Sequence, residues 1–180
     1  MRAIIFILCY MGAVCTNYAQ GDTKEKELSN AEKFSSKSGT LIQKEFLDVG
    51  KINKAEIKVI YYTDLITLET VSAVRIEYEV ASSYSTDTKI ASLDADEMDG
   101  LIKSIKTMQE KVFPETPANY MEISYKSRGG FEAGCYWEKK GWATYLKLEK
   151  YDGKSYVFLK KEDFPELLSL LEKSKEMLKT

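Results

Sequence analysis

Apolar and polar residues alternate with a period of two through much of the stretch from residue 41 to residue 93. The clearest case is residues 71–80, where Val74, Ile76, Tyr78 and Val80 fall on one face and Arg75, Glu77 and Glu79 on the other. That pattern predicts a strand in a sheet with one buried and one wet face. Residues 41–49, 55–64 and 88–93 carry the same β-branched and aromatic bias, with a turn composition over residues 50–54. At Asp94 the period lengthens to about 3.6. Asp94 and Glu97 have the spacing of a capping box, and Met98, Leu101, Ile102, Ile105 and Met108 then recur on one helical face. The helix is expected to end before Pro114, in a stretch holding two of the three prolines.

The second half repeats this order. Residues 120–127 and 131–138 read as strands around Arg128-Gly129-Gly130, and residues 142–150 and 154–159 as strands around Asp152-Gly153, which predicts a two-residue hairpin turn. A final helix over residues 163–178 has Phe164, Leu167, Leu168, Leu171 and Met177 as its apolar stripe and Pro165 in its first turn. Leu93, Met98, Leu101, Ile102 and Ile105 match Leu159, Phe164, Leu167, Leu168 and Leu171 at a constant offset of 66, and residues 74–77 match residues 146–149 at 72. The expected fold class is therefore α+β, a tandem ββββα repeat over residues 40–112 and 118–178. Its two antiparallel sheets and two packed helices should form a pseudo-twofold single domain over residues 39–180.

This layout resembles the Whirly and positive-cofactor-four type of single-stranded DNA-binding domain, with four antiparallel strands followed by a helix, paired about a twofold axis. The resemblance covers most of the chain and lies in topology alone. It implies a single-stranded nucleic acid as an alternative ligand, and no motif of that family is present to assign residues to it.

Residues 1–20 read as a secretory signal peptide, with Arg2 as the basic start, an apolar run over residues 4–13 and Ala19 near the cut. The ending Ala19-Gln20 resembles signal peptides of the Bacteroidetes. That run is too short to span a bilayer, which takes about 20 apolar residues. The mature product is expected to be soluble, periplasmic or extracellular, and without a membrane span. Residues 21–38, with four basic and four acidic residues and little periodicity, read as a flexible leader, with a helix around residues 24–34 as the alternative.

Composition narrows the chemistry. The 180 residues include no histidine, which removes the commonest general base, Ser-His and Cys-His dyads, and imidazole zinc sites. Loss of residues 1–20 leaves 25 basic against 28 acidic residues, a net charge of −3, with Cys135 as the remaining cysteine. No internal disulfide can form. Cys135 alternates in phase with Phe131 and Trp137, as a small core residue does. The acids at 94, 96, 97 and 99 suit a helix start rather than a calcium loop, and no phosphate-binding glycine loop or metal site is expected. The carboxylate pairs Glu77/Glu79 and Glu132/Glu138 fall on wet strand faces. A hydrolase built on such a pair or on a Ser-Lys dyad is a further alternative.

Aromatic and basic residues gather in the second half, where residues 118–180 hold 12 basic and 10 acidic side chains. Arg128, Tyr136, Trp142 and Tyr145 are the expected ligand-binding residues, since rings interleaved with cations can hold sugars or single strands. The function expected is thus an exported, non-catalytic binding module without a cofactor, for a protein, glycan or small-molecule partner. Nucleic acid is disfavoured by export and by the acidic balance.

Overall fold

The computed structural model describes residues 27–81, 85–139 and 141–178. A short helix α1 (Asn30–Ser35) leads into β1 (Ile42–Ile52), β2 (Ala55–Asp64), β3 (Thr70–Ala81) and β4 (Thr86–Asp94), then α2 (Met98–Thr107). β5 (Glu122–Lys126), β6 (Glu132–Glu138), β7 (Gly141–Lys147) and β8 (Tyr156–Leu159) follow, and α3 (Phe164–Met177) closes the chain. Each set of four strands forms its own antiparallel sheet in sequence order. No described helix is long and apolar enough to cross a membrane.

The two periods dictate which faces meet. Ile57, Val59, Val74, Ile76 and Leu93 of the first sheet share one buried cluster with Ala133, Cys135, Leu146 and Val157 of the second. Met98, Leu101 and Ile105 of α2 and Phe164, Leu167 and Leu171 of α3 complete it. Burying each large apolar side chain contributes about 1.5–3 kcal/mol, so this shared cluster holds both sheets in one α+β domain. The helices cross over between halves. α3 lies on β1 and β2, where Lys173 Nζ donates to the Val49 carbonyl at 2.8 Å and the Tyr61 hydroxyl donates to that of Met177. At the start of α2 the Tyr125 hydroxyl of β5 donates to the Glu97 carbonyl at 3.1 Å.

The expected starts of both long helices hold. A short 3-10 turn precedes each, Ala95–Glu97 and Lys161–Asp163. The Glu97 carboxylate accepts from the Asp94 N–H at 3.0 Å, and Asp163 accepts from that of Lys160 at 2.8 Å. These paired devices keep the offset of 66. The strand offset does not hold as read. Leu93 faces Val74 across its sheet, whereas Leu159 faces Thr144, so the ladders correspond at 70, two residues from the sequence match. The buried face is unchanged by a shift of two.

Three local expectations are corrected. Signal residues 1–20 lie outside the described residues; of residues 21–38, those described from residue 27 onward are not a loose leader but carry a helix, in part where the alternative reading placed one. Ser29 and Glu32 form a capping box, and Ala31 and Phe34 of α1 bury themselves against Ile60, Tyr62 and Ala73 on the far face of the first sheet. Gly50 is not part of a turn: β1 continues to Ile52 through a bulge after Asp48. A Cβ on Gly50 would meet Leu170 Cδ2 of α3 at 2.6 Å, so the glycine makes room for a helix.

The Asp152-Gly153 pair does not make a two-residue turn, because β7 stops at Lys147 and β8 starts at Tyr156. The Ser155 hydroxyl bonds the carbonyls of Glu149 and Asp152 at 3.1 and 2.7 Å, and the Asp152 carboxylate reaches Lys89 at 2.5 Å. Those bonds hold a wider loop closed. The helical stretch that starts at α2 ends before Pro114 as expected, its last residues, Met108–Val112, forming a π turn.

Candidate binding surface

The face of the second sheet turned away from the core carries a continuous row of aromatic rings. Alternation places Tyr136 of β6, Tyr145 of β7, and Tyr156 and Phe158 of β8 on that face, with Tyr120 just ahead of β5. Ring centroids lie 6.5 Å apart for Tyr120 and Tyr136, 6.4 Å for Tyr136 and Tyr145, 5.3 Å for Tyr145 and Tyr156, and 5.8 Å for Tyr156 and Phe158. The row thus runs from the approach to β5 across β6, β7 and β8. Its ends are the most open, Tyr120 at 65% and Phe158 at 58% exposure.

Gly134 explains how the middle of the row is held. It pairs with Tyr145 across the β6–β7 ladder, and a Cβ on it would meet the Tyr145 hydroxyl at 2.8 Å and the Ile123 carbonyl at 2.8 Å. The ring therefore covers the glycine, a cross-strand device that fixes the tyrosine and protects the bare backbone. Burial, with the Glu132 carboxylate adding to it, pushes the Tyr145 phenol up to about 12. The Tyr120 hydroxyl donates to Glu122, which raises its pKa to about 12. Both phenols are neutral donors at ordinary pH.

Alternation also sets the charges around the rings. Glu122, Glu132 and Glu138 share the face with Lys126 and Lys147. Lys126 lies 3.4 Å from Glu132, and the Lys147 ammonium sits 5.3 Å over the Tyr156 ring. The balance around the row is slightly acidic.

The four residues expected to bind ligand are not brought together. Tyr136 and Tyr145 are neighbours in the row. Trp142 is on the opposite face, paired with Trp137, its ring 6.5 Å from that of Phe113 and its Nε1 donating to the Glu115 carbonyl at 3.1 Å. Arg128 sits in the β5–β6 turn, beyond the Lys126–Glu132 pair and at the other end of that ladder from Tyr136. Its guanidinium pairs with Asp94 at 2.5 Å and Asp96 at 2.7 Å, which raises its pKa further. Arg128 is thus a clasp between the halves. Tyr120, Tyr156 and Phe158 were not singled out by the sequence reading, although the alternation of residues 156 and 158 was the signal that could have found them.

Other candidate chemistry resolves into structure. Asp94, Asp96 and Glu97 can bring carboxylate oxygens within 4.8 Å of one another. Arg128 and the backbone N–H groups of Asn30, Ala31, Asp94 and Arg128 already occupy them. Cys135 is fully buried and its thiol is pushed up to about 11 by burial, so it packs as an inert core residue. Glu77 is held between Lys58 at 2.8 Å and Arg75. No protein-family model, curated protein or solved structure matches the chain.

Proposed function

We propose that the chain is an exported, non-catalytic binding module whose ligand is a neutral saccharide chain, held on the aromatic row of the second sheet. The row from Tyr120 to Phe158 is the observation that carries this reading. Sugar rings present apolar C–H faces to aromatic side chains while their hydroxyls need acceptors. Glu122, Glu132 and Glu138 supply acceptor-only carboxylates on the same face. An extended array suits an extended ligand.

The layout that resembles single-strand DNA-binding domains keeps nucleic acid as a second reading. The charges on the row speak against it, because affinity for a phosphate backbone comes from cations that displace its counterions. Lys126 is engaged with Glu132, and Glu122 and Glu138 stand beside the rings.

Native gels cast with neutral polysaccharides of different linkage test the proposal. Retardation by at least one of them is expected, weakened about tenfold by Tyr136→Ala and by Tyr156→Ala, a loss equivalent to about 1.4 kcal/mol. Labelled oligothymidylate at low salt should not be retained. No retardation by any neutral polysaccharide, or retardation untouched by both substitutions, would overturn it.

A further inference from the structure

The chain's two tryptophans lie on the core side of the second sheet, yet neither is fully buried. Trp137 and Trp142 meet edge to face at 5.4 Å at the hairpin end of β6 and β7, where they line a cleft of about 440 Å³ with Phe113 and Leu159. That volume suits a small molecule. The Trp142 N–H is already donated to the Glu115 carbonyl, so that indole offers the cleft apolar surface and no free donor.

Charges ring this apolar floor. Glu115, Lys160, Lys161 and Glu162 also line the cleft. Lys161 faces Glu162 at 4.0 Å, whereas Lys160 and Glu115 make no ion pair among the described residues. One free ammonium and one free carboxylate therefore border a single aromatic cavity. A ligand matching all three features carries a carboxylate, an ammonium group and an apolar ring.

We infer that this cleft binds a zwitterionic amino acid with an aromatic side chain, its ring against Trp137, Trp142 and Phe113, its carboxylate at Lys160 and its ammonium at Glu115. The site is separate from the saccharide row, which occupies the other face of the sheet. Each single charge match contributes modestly at an open rim, and the pair together selects the zwitterion over analogues carrying one charge.

Intrinsic tryptophan emission reads this cleft directly, because both tryptophans line it. L-phenylalanine, 3-phenylpropionate and phenethylamine serve as probes carrying both charges, the carboxylate alone and the ammonium alone. L-phenylalanine should give a saturable change, with each analogue binding about tenfold more weakly. Lys160→Met should remove the preference over phenethylamine and Glu115→Gln the preference over 3-phenylpropionate. Both residues are exposed, so unchanged thermal midpoints are expected for these variants. Tyr136→Ala should leave the titration intact, which separates this inference from the saccharide reading. Absence of a saturable change with L-phenylalanine, or equal binding of either analogue, would overturn it.

Discussion

Arg128 Nη1 lies 2.5 Å from Asp94 Oδ2, the oxygen that also accepts from the Asn30 N–H at 2.7 Å. Asp94 Oδ1 takes the Ala31 N–H at 3.0 Å, so one carboxylate, 4% exposed, holds the start of α1 and the β5–β6 turn together. Removing it orphans several donors at once. Asp94→Ala should cost about 2–4 kcal/mol of stability, measured by denaturant unfolding, and expose residues 29–35 to amide exchange. Arg128→Ala should loosen the same segment while leaving saccharide retardation unchanged.

Gly134 and Gly50 both leave room for a neighbour, but the neighbours differ. At Gly134 an added methyl meets the Ile123 carbonyl, a backbone atom, as well as the Tyr145 ring, whereas at Gly50 it meets the tip of the Leu170 side chain. Backbone cannot give way as a side chain can. Gly134→Ala should destabilise by about 1–3 kcal/mol and weaken saccharide binding. Gly50→Ala should cost less, and Leu170→Ala combined with it should not make a further loss that adds in full.

Alkali should loosen the fold early. The Tyr120 and Tyr145 phenols are raised from 10.0 to about 12, by the Glu122 carboxylate and by burial respectively, and the Cys135 thiol from 9.0 to about 11 by burial. A raised folded-state pKa gives stability that is whole below the unfolded value and is lost as pH rises through the folded one. The thermal midpoint should therefore be level below about pH 9 and fall from there towards pH 12. Cys135 should resist thiol reagents in the native protein and react once unfolded.

Leu68 sits in the left-handed region at φ 62°, at the β2–β3 connection, with 75% of its surface exposed. A leucine there carries backbone strain and little packing to compensate. Leu68→Asn should raise stability by about 0.5–1 kcal/mol, read as a higher unfolding midpoint. An unchanged or lower midpoint would show that the exposed side chain packs in solution.

Much of the fold was legible because burial follows periodicity. The alternation through Val74, Ile76 and Tyr78 and the stripe through Met98, Leu101 and Ile105 each report one buried face, and both faces are buried as expected. What escaped depends on partners distant in sequence. Gly50 reads as a turn residue until Leu170 arrives from α3, and Asp152 reads as a hairpin residue until Lys89 takes its carboxylate. The same reason divides the site. Tyr136 and Tyr145 share a face by parity, but Arg128 and Trp142 were grouped with them by proximity in sequence, which says nothing about which face a side chain leaves from or what an arginine finds across the chain.

Backbone amide and side-chain chemical-shift mapping during titration with a soluble neutral oligosaccharide tests the central claim most directly. The account predicts saturable shifts centred on Tyr120, Tyr136, Tyr145, Tyr156 and Phe158, with Trp137 and Trp142 undisturbed. Shifts centred on the first sheet or on the tryptophan cleft, or none with any neutral oligosaccharide, would contradict it.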